Sequence, residues 1–215
     1  MSAAGADLVF AGGAVAAAPV AVHAEGSVAS KRIVTAFGFW VFLLSDVVMF
    51  SAFFATYVVL VDATAGGPSG KDVFNLSAVA LETACLLLSS FTCGMASLGA
   101  RARSNLMYYG GMIATFLLGA AFVLLEIRDF TTMVAQGAGP SRSAFLSAYF
   151  ALVGCHGLHV TMGLLFLLTM IAQVYAKGYR PDILRRILCF GLFWHTLDII
   201  WVGIFTVVYL LGVAR

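Results

Sequence analysis

Three short stretches of this chain place acid–base or metal-binding side chains among otherwise apolar residues. Asp46 closes the run Phe39-Trp40-Val41-Phe42-Leu43-Leu44-Ser45-Asp46. His156 and His159 lie in Gly154-Cys155-His156-Gly157-Leu158-His159-Val160-Thr161. The third stretch is Trp194-His195-Thr196-Leu197-Asp198-Ile199-Ile200-Trp201, and two further acids, Glu82 and Glu126, sit in long apolar runs of their own. A charge at the centre of a bilayer costs at least about 2.5 kcal/mol on the mildest insertion scales, so each of these groups needs a partner or a purpose.

Each has a chemical and a structural reading. Asp46 is either a protonatable group on a proton route or a hydrogen-bonded packing residue. Glu82 and Glu126 reach the interface by snorkelling, or pair with Arg128. His156 and His159, three residues apart, share a helical face and could hold a metal, with Glu126 and His195 completing a His–carboxylate iron site. Helix-bundle di-metal centres take a Glu-x-x-His motif from each of two helices, and this chain has none. A b-type haem would need His156 or His159 opposite His195.

The structural reading is preferred. Ala151, Cys155, His159 and Gly163 recur every four residues and form a ridge on which a neighbouring helix packs closely, with neutral imidazoles hydrogen-bonding across it. Trp194, Asp198 and Trp201 at i, i+4 and i+7, with His195 three before Asp198, put an acid, an imidazole and two indoles on one broad face, where Asp198 has donors within reach. Asp46, Glu82, Glu126, His156, His159, His195 and Asp198 are thus expected as buried polar, structural positions, and Trp40, Trp194 and Trp201 as interhelix or lipid contacts. No catalytic, metal-binding or cofactor-binding residue is assigned.

The elements that must position these groups follow from composition. Of 215 residues, 62% are hydrophobic and 10% charged, against roughly 45–50% and 25% in an average soluble domain. That excludes a water-soluble globular protein. A net charge of +2 with no long basic block excludes a nucleic-acid footprint. The four cysteines are scattered singly without a C-x-x-C, so neither a disulfide framework nor a zinc site is indicated.

A hydrocarbon core of roughly 30 Å takes about 20 apolar residues at about 1.5 Å each, and five stretches are long enough: 33–61, 76–100, 107–127, 144–176 and 187–213. Alternate connecting segments carry eight Lys and Arg against four, which predicts a cytoplasmic N-terminus and a periplasmic C-terminus. Residues 8–24 look like a signal-peptide core but lack a basic n-region and follow Asp7, so residues 1–32 are read as a flexible cytoplasmic tail ahead of a five-helix transmembrane domain, 33–215. The expected fold is all-α and polytopic.

The same motifs resemble those of subunit III of the haem–copper respiratory oxidases: the Phe-Trp run ending in Ser45-Asp46, the His-Gly-x-His-Val signature at 156–160, and Trp-His-x-x-Asp-x-x-Trp at 194–201, in that order. The likeness covers about 36–212. Five spans rather than seven, with the stretches 64–72 and 139–147, resemble the ubiquinol oxidase (cytochrome bo) branch. The resemblance implies a non-catalytic core subunit of a proton-pumping quinol oxidase in the bacterial inner membrane, without cofactors of its own. Haem b, haem o, copper and ubiquinol belong to partner chains, and the implied partners are subunits I, II and IV and membrane phospholipids. In cytochrome c oxidases of this family the position of Asp46 holds a carbodiimide-reactive glutamate; the shorter Asp here puts that reactivity in doubt. The alternatives are subunit III of a cytochrome c oxidase, an independent transporter lined by Asp46, Glu82 and Asp198, and a self-sufficient metal or haem enzyme.

Overall fold

A computed structural model describes residues 31–214. The main helices are α1 (Lys31–Leu60), α3 (Leu76–Arg101), α4 (Asn105–Ala135), α5 (Ala144–Lys177) and α6 (Pro181–Ile204); α2 (Gly70–Val73) and α7 (Leu211–Ala214) are single turns. A π-helical segment, Phe205–Leu210, continues α6 into α7. Among the described residues five helical stretches are long and apolar enough to cross a membrane. The expected tail, residues 1–32, lies outside the described residues up to position 30, whereas Lys31 and Arg32 already belong to α1.

Local chemistry sets the helix ends. The Asn75 side chain accepts from the backbone N–H groups of Ser77 and Ala78 at 3.2 and 3.4 Å and starts α3; Ser143 accepts from Leu146 at 3.2 Å and starts α5. Both satisfy N–H groups that the first turn leaves without an intrahelical acceptor. Pro181 occupies the first turn of α6, where its missing N–H costs nothing. Gly178, at φ +67°, stops α5 in the left-handed region that favours glycine.

Two helices extend past the apolar stretches in the sequence. The third apolar stretch stops at 127, yet α4 continues through Arg128 and Asp129 to Ala135, and α6 starts six residues before 187. Hydropathy marks where lipid begins, while a helix continues into the polar zone as long as no breaker intervenes.

Helices α3 and α4 form a close antiparallel hairpin; α4 packs on α5, α5 on α6, and α6 returns to α3, closing a ring of four. Helix α1 leans on α5 and α6 from outside the ring. Most of the apolar surface of α1 stays exposed, including Phe37, Val41, Leu44 and Val48. The ring encloses Trp194 and Trp201, the two largest fully buried side chains among the described residues. At one end α2 and the loop before α5 gather, with Phe145 N–H donating to Ala63 O at 3.3 Å. At the other, Tyr179 donates to Asn105 at 2.9 Å across the α3–α4 and α5–α6 turns.

Candidate functional site

The polar groups singled out in the sequence fall into three sets, on three different helix contacts. Across the α3–α6 contact, the Trp194 indole N–H donates to Ser89 Oγ and the Trp201 N–H to Thr83 Oγ1, both at 3.0 Å. The helices are antiparallel, so seven residues on α6 answer six on α3. His195 Nδ1 meets Ser90 Oγ at 2.5 Å on the same seam. Trp194 also fills the middle of the ring: a Cβ added to Gly119 of α4 or to Gly163 of α5 would stand 2.9 Å from its ring carbons. One indole therefore joins α3, α4, α5 and α6.

This differs in two respects from the expected layer. The indole N–H groups serve Ser89 and Thr83 rather than Asp198, whose buried carboxyl lies beside Ser90 and Cys93 of α3. His195, expected to be buried, is exposed. Trp40, expected as an interhelix or lipid contact, is 50% exposed on the outer face of α1.

The second set lies inside the ring towards the α2 end. His156 has no exposed surface, stacks on Trp201 at a centroid distance of 5.1 Å, and meets the Phe122 and Phe50 rings edge-on at 5.9 and 6.2 Å. Among the described residues neither ring nitrogen has a hydrogen-bond partner, so this histidine is held by aromatic packing and not by hydrogen bonds across helices. Glu82 and Glu126 are also buried, at 2% and 5% exposure, and do not snorkel or pair with Arg128. Glu126 lies against the Gly157 backbone, where an added Cβ would sit 2.6 Å from Oε2. Next to them Tyr149 and Tyr209 share a hydrogen bond at 3.0 Å, and Tyr57 of α1 donates to Val208 O at 3.3 Å. Val208 and Tyr209 both lie in the π segment, whose wider turn alters the register of the last residues of the span relative to a continuous α-helix.

The third set bridges α1 and α5. Asp46 is half-buried on α1 within Coulombic reach of His159. His159 Nδ1 lies 2.7 Å from Cys155 O, one turn back, so Nδ1 carries the proton and Nε2 is the basic nitrogen. The Phe50 ring packs edge-on to the His159 imidazole at 5.3 Å.

These positions do not fit a haem or a metal. The His156 ring is enclosed by Trp201, Phe122 and Phe50, with no slot for a porphyrin, and His195 belongs to the α3–α6 surface. Among the described residues no three His, Cys, Asp or Glu side chains converge as ligands would. Comparison with known sequences identifies the family. Residues 21–213 match the family described as Cytochrome c oxidase subunit III. The chain belongs to that family. Within it, the chain is 53% identical over 178 residues to cytochrome bo(3) ubiquinol oxidase subunit 3 of Pseudomonas aeruginosa, covering 83% of this chain and 85% of the relative. It is 43% identical over 175 residues to quinol oxidase subunit 3 of Bacillus subtilis, covering 81% and 86%. It is 40% identical over 178 residues to cytochrome c oxidase subunit 3 of Bacillus sp. strain PS3, covering 81% and 84%. This subunit III is thus a multi-pass membrane protein of the haem–copper oxidase family.

Sequence reading missed Thr83, Ser89, Ser90, Tyr57, Tyr149 and Tyr209. The one available signal was spacing: a Thr and a Ser six apart on one apolar helix, opposite two Trp seven apart on another.

Proposed function

We propose that the chain serves as subunit III of a proton-pumping ubiquinol oxidase in the bacterial inner membrane, with its N-terminus in the cytoplasm and its C-terminus in the periplasm. The observation that carries this reading is the 53% identity to a bo(3) ubiquinol oxidase subunit 3 across more than four-fifths of both chains. Electron transfer and oxygen reduction take place in partner subunits that hold haem b, haem o and copper. This chain contributes a rigid helical body that packs against subunit I, contacts subunits II and IV, holds phospholipid and sustains proton uptake during turnover.

The internal construction supports that role. A four-helix ring tied together by the α3–α6 indole bonds resists distortion, since interhelical polar contacts in a membrane each contribute about 0.6–2 kcal/mol. Helix α1, bound on one side only, leaves an apolar flank on which lipid or a membrane partner can pack. Asp46, Glu82, Glu126, His156, His159 and Asp198 are structural in this reading, and His195 is the surface member of the same network.

The test is affinity purification of the tagged chain from its native membrane in mild detergent. Haem-bearing partners that oxidise ubiquinol and not cytochrome c should accompany it, and the separated chain should be colourless. A preparation that oxidises cytochrome c instead would assign the chain to the branch represented by the strain PS3 relative.

A further inference from the structure

Inside the ring towards the α2 end, Glu82 of α3 and Glu126 of α4 are buried within Coulombic reach of each other. Each keeps one carboxyl oxygen, Oε1, without a hydrogen-bond partner among the described residues. The charges that reach them are acidic: each other's, and that of Asp129 one turn further along α4. A buried carboxylate without a cation is among the costliest groups a helix bundle can enclose, and an apolar side chain would fill the same space more favourably. Packing alone does not account for the pair.

We propose that Glu82 and Glu126 are a proton-binding site, holding a proton between them and exchanging it with solution at the α2 end of the molecule through Asp129. Two carboxyls at close quarters without a counter-charge share a proton because ionisation of one opposes ionisation of the other. A metal ion is less suited to the place, since among the described residues no three His, Cys, Asp or Glu side chains converge as ligands. A proton needs only two oxygens.

The surroundings are built for carboxyls. Gly157 of α5 lacks the side chain that would displace Glu126: an added Cβ would stand 2.6 Å from Oε2 and 2.8 Å from Oε1. Tyr149 of α5 and Tyr209 of the π segment share one hydrogen bond at 3.0 Å, which uses one of their two hydroxyl hydrogens and leaves the other for a carboxylate. The other titratable groups of this set are otherwise engaged, His156 of α5 stacked on Trp201 and Tyr57 of α1 donating to Val208 O.

The route to water is short. Asp129 lies three residues beyond Glu126, on the same helical face, and is half-buried, with the charge of Arg128 acting on it. In loading, water gives a proton to the Asp129 carboxylate and Asp129 passes it to Glu126, which leaves Asp129 ionised as before. Discharge runs the same steps backwards. In the proposed orientation this end faces the periplasm. The inference goes beyond the structural part that Glu82 and Glu126 have in the proposed function.

Infrared difference spectroscopy of the intact detergent-purified complex, transferred from ordinary to heavy water, tests it. The parent should show a carboxylic-acid C=O band that shifts on deuteration and is missing from the double variant Glu82→Gln with Glu126→Gln. In Asp129→Asn, outside the pair, the band should remain but exchange about 100-fold more slowly, the low end of what a positioned proton-transfer group contributes. An exchange rate unchanged in Asp129→Asn would make the pair a static buried acid and overturn the proposal, as would a band that persists in the double variant. Carboxylate bands that respond to sodium or calcium in place of the acid band would also overturn it, by showing a metal-cation site. Haem-bearing partners co-purifying with every variant show that each has folded and assembled, and keep a failure of the proton site separate from a failure of the oxidase assignment.

Discussion

Trp194 Nε1 donates to Ser89 Oγ at 3.0 Å while its ring lies between Gly119 and Gly163, so one side chain sets the spacing of four helices at once. Hydrophobicity cannot do this in lipid, where the surroundings are as apolar as the helix; close packing and polar contacts must.

Ser89→Ala should destabilise the chain by about 1 kcal/mol, because a buried indole N–H loses its acceptor. Trp194→Phe should cost more, through the lost bond and the lost ring volume. In denaturant unfolding of the micellar protein the two changes should be less than additive, since both remove the same bond.

Gly163→Val should be worse than either, by about 1–3 kcal/mol or more, because its side chain enters the space of the Trp194 ring. Reduced yield of assembled complex together with a lowered unfolding midpoint would register it; Gly94→Ala, facing open space, is the matched control and should be nearly silent.

Gly157 and Glu126 should couple in the same way. Gly157→Ala forces the Glu126 carboxyl out of its position and destabilises, whereas adding Glu126→Ala should restore a large part of the loss by opening room. Independent effects of the two changes in a double-mutant cycle would refute the contact.

The architecture was readable in the sequence because five spans and a polar motif in each of the first, fourth and fifth are composition-level features. Which donor meets which acceptor was not. Whether Glu82 snorkels or turns inward depends on the rotation of α3 about its axis, set by the close approaches of Gly99 to α4 and of Gly111 on α4 to α3 rather than by Glu82's own neighbours. Ser89 and Thr83 look like any hydroxyl on a membrane helix, and most such groups bond their own backbone one turn back, as Thr161 does to Gly157 O at 2.9 Å. The π segment that places Tyr209 opposite Tyr149 has no signature in Phe205-Thr206-Val207-Val208-Tyr209-Leu210.

Asp46→Asn should leave haem content unchanged and quinol oxidation close to the parent. The carboxyl is half-buried on the outermost helix and its neighbour His159 is already anchored to Cys155 O. Loss of the haem signal with normal assembly of the other subunits would contradict the structural role given to this residue.

The central claim is that this chain is a scaffold subunit of a quinol oxidase, without a redox centre of its own. Reduced-minus-oxidised spectra of the tagged complex and of the chain separated from it test that directly. The account predicts haem bands and ubiquinol oxidation in the complex and a colourless chain. A Soret band or stoichiometric metal in the separated chain, or a chain that purifies without haem-bearing partners, would contradict it.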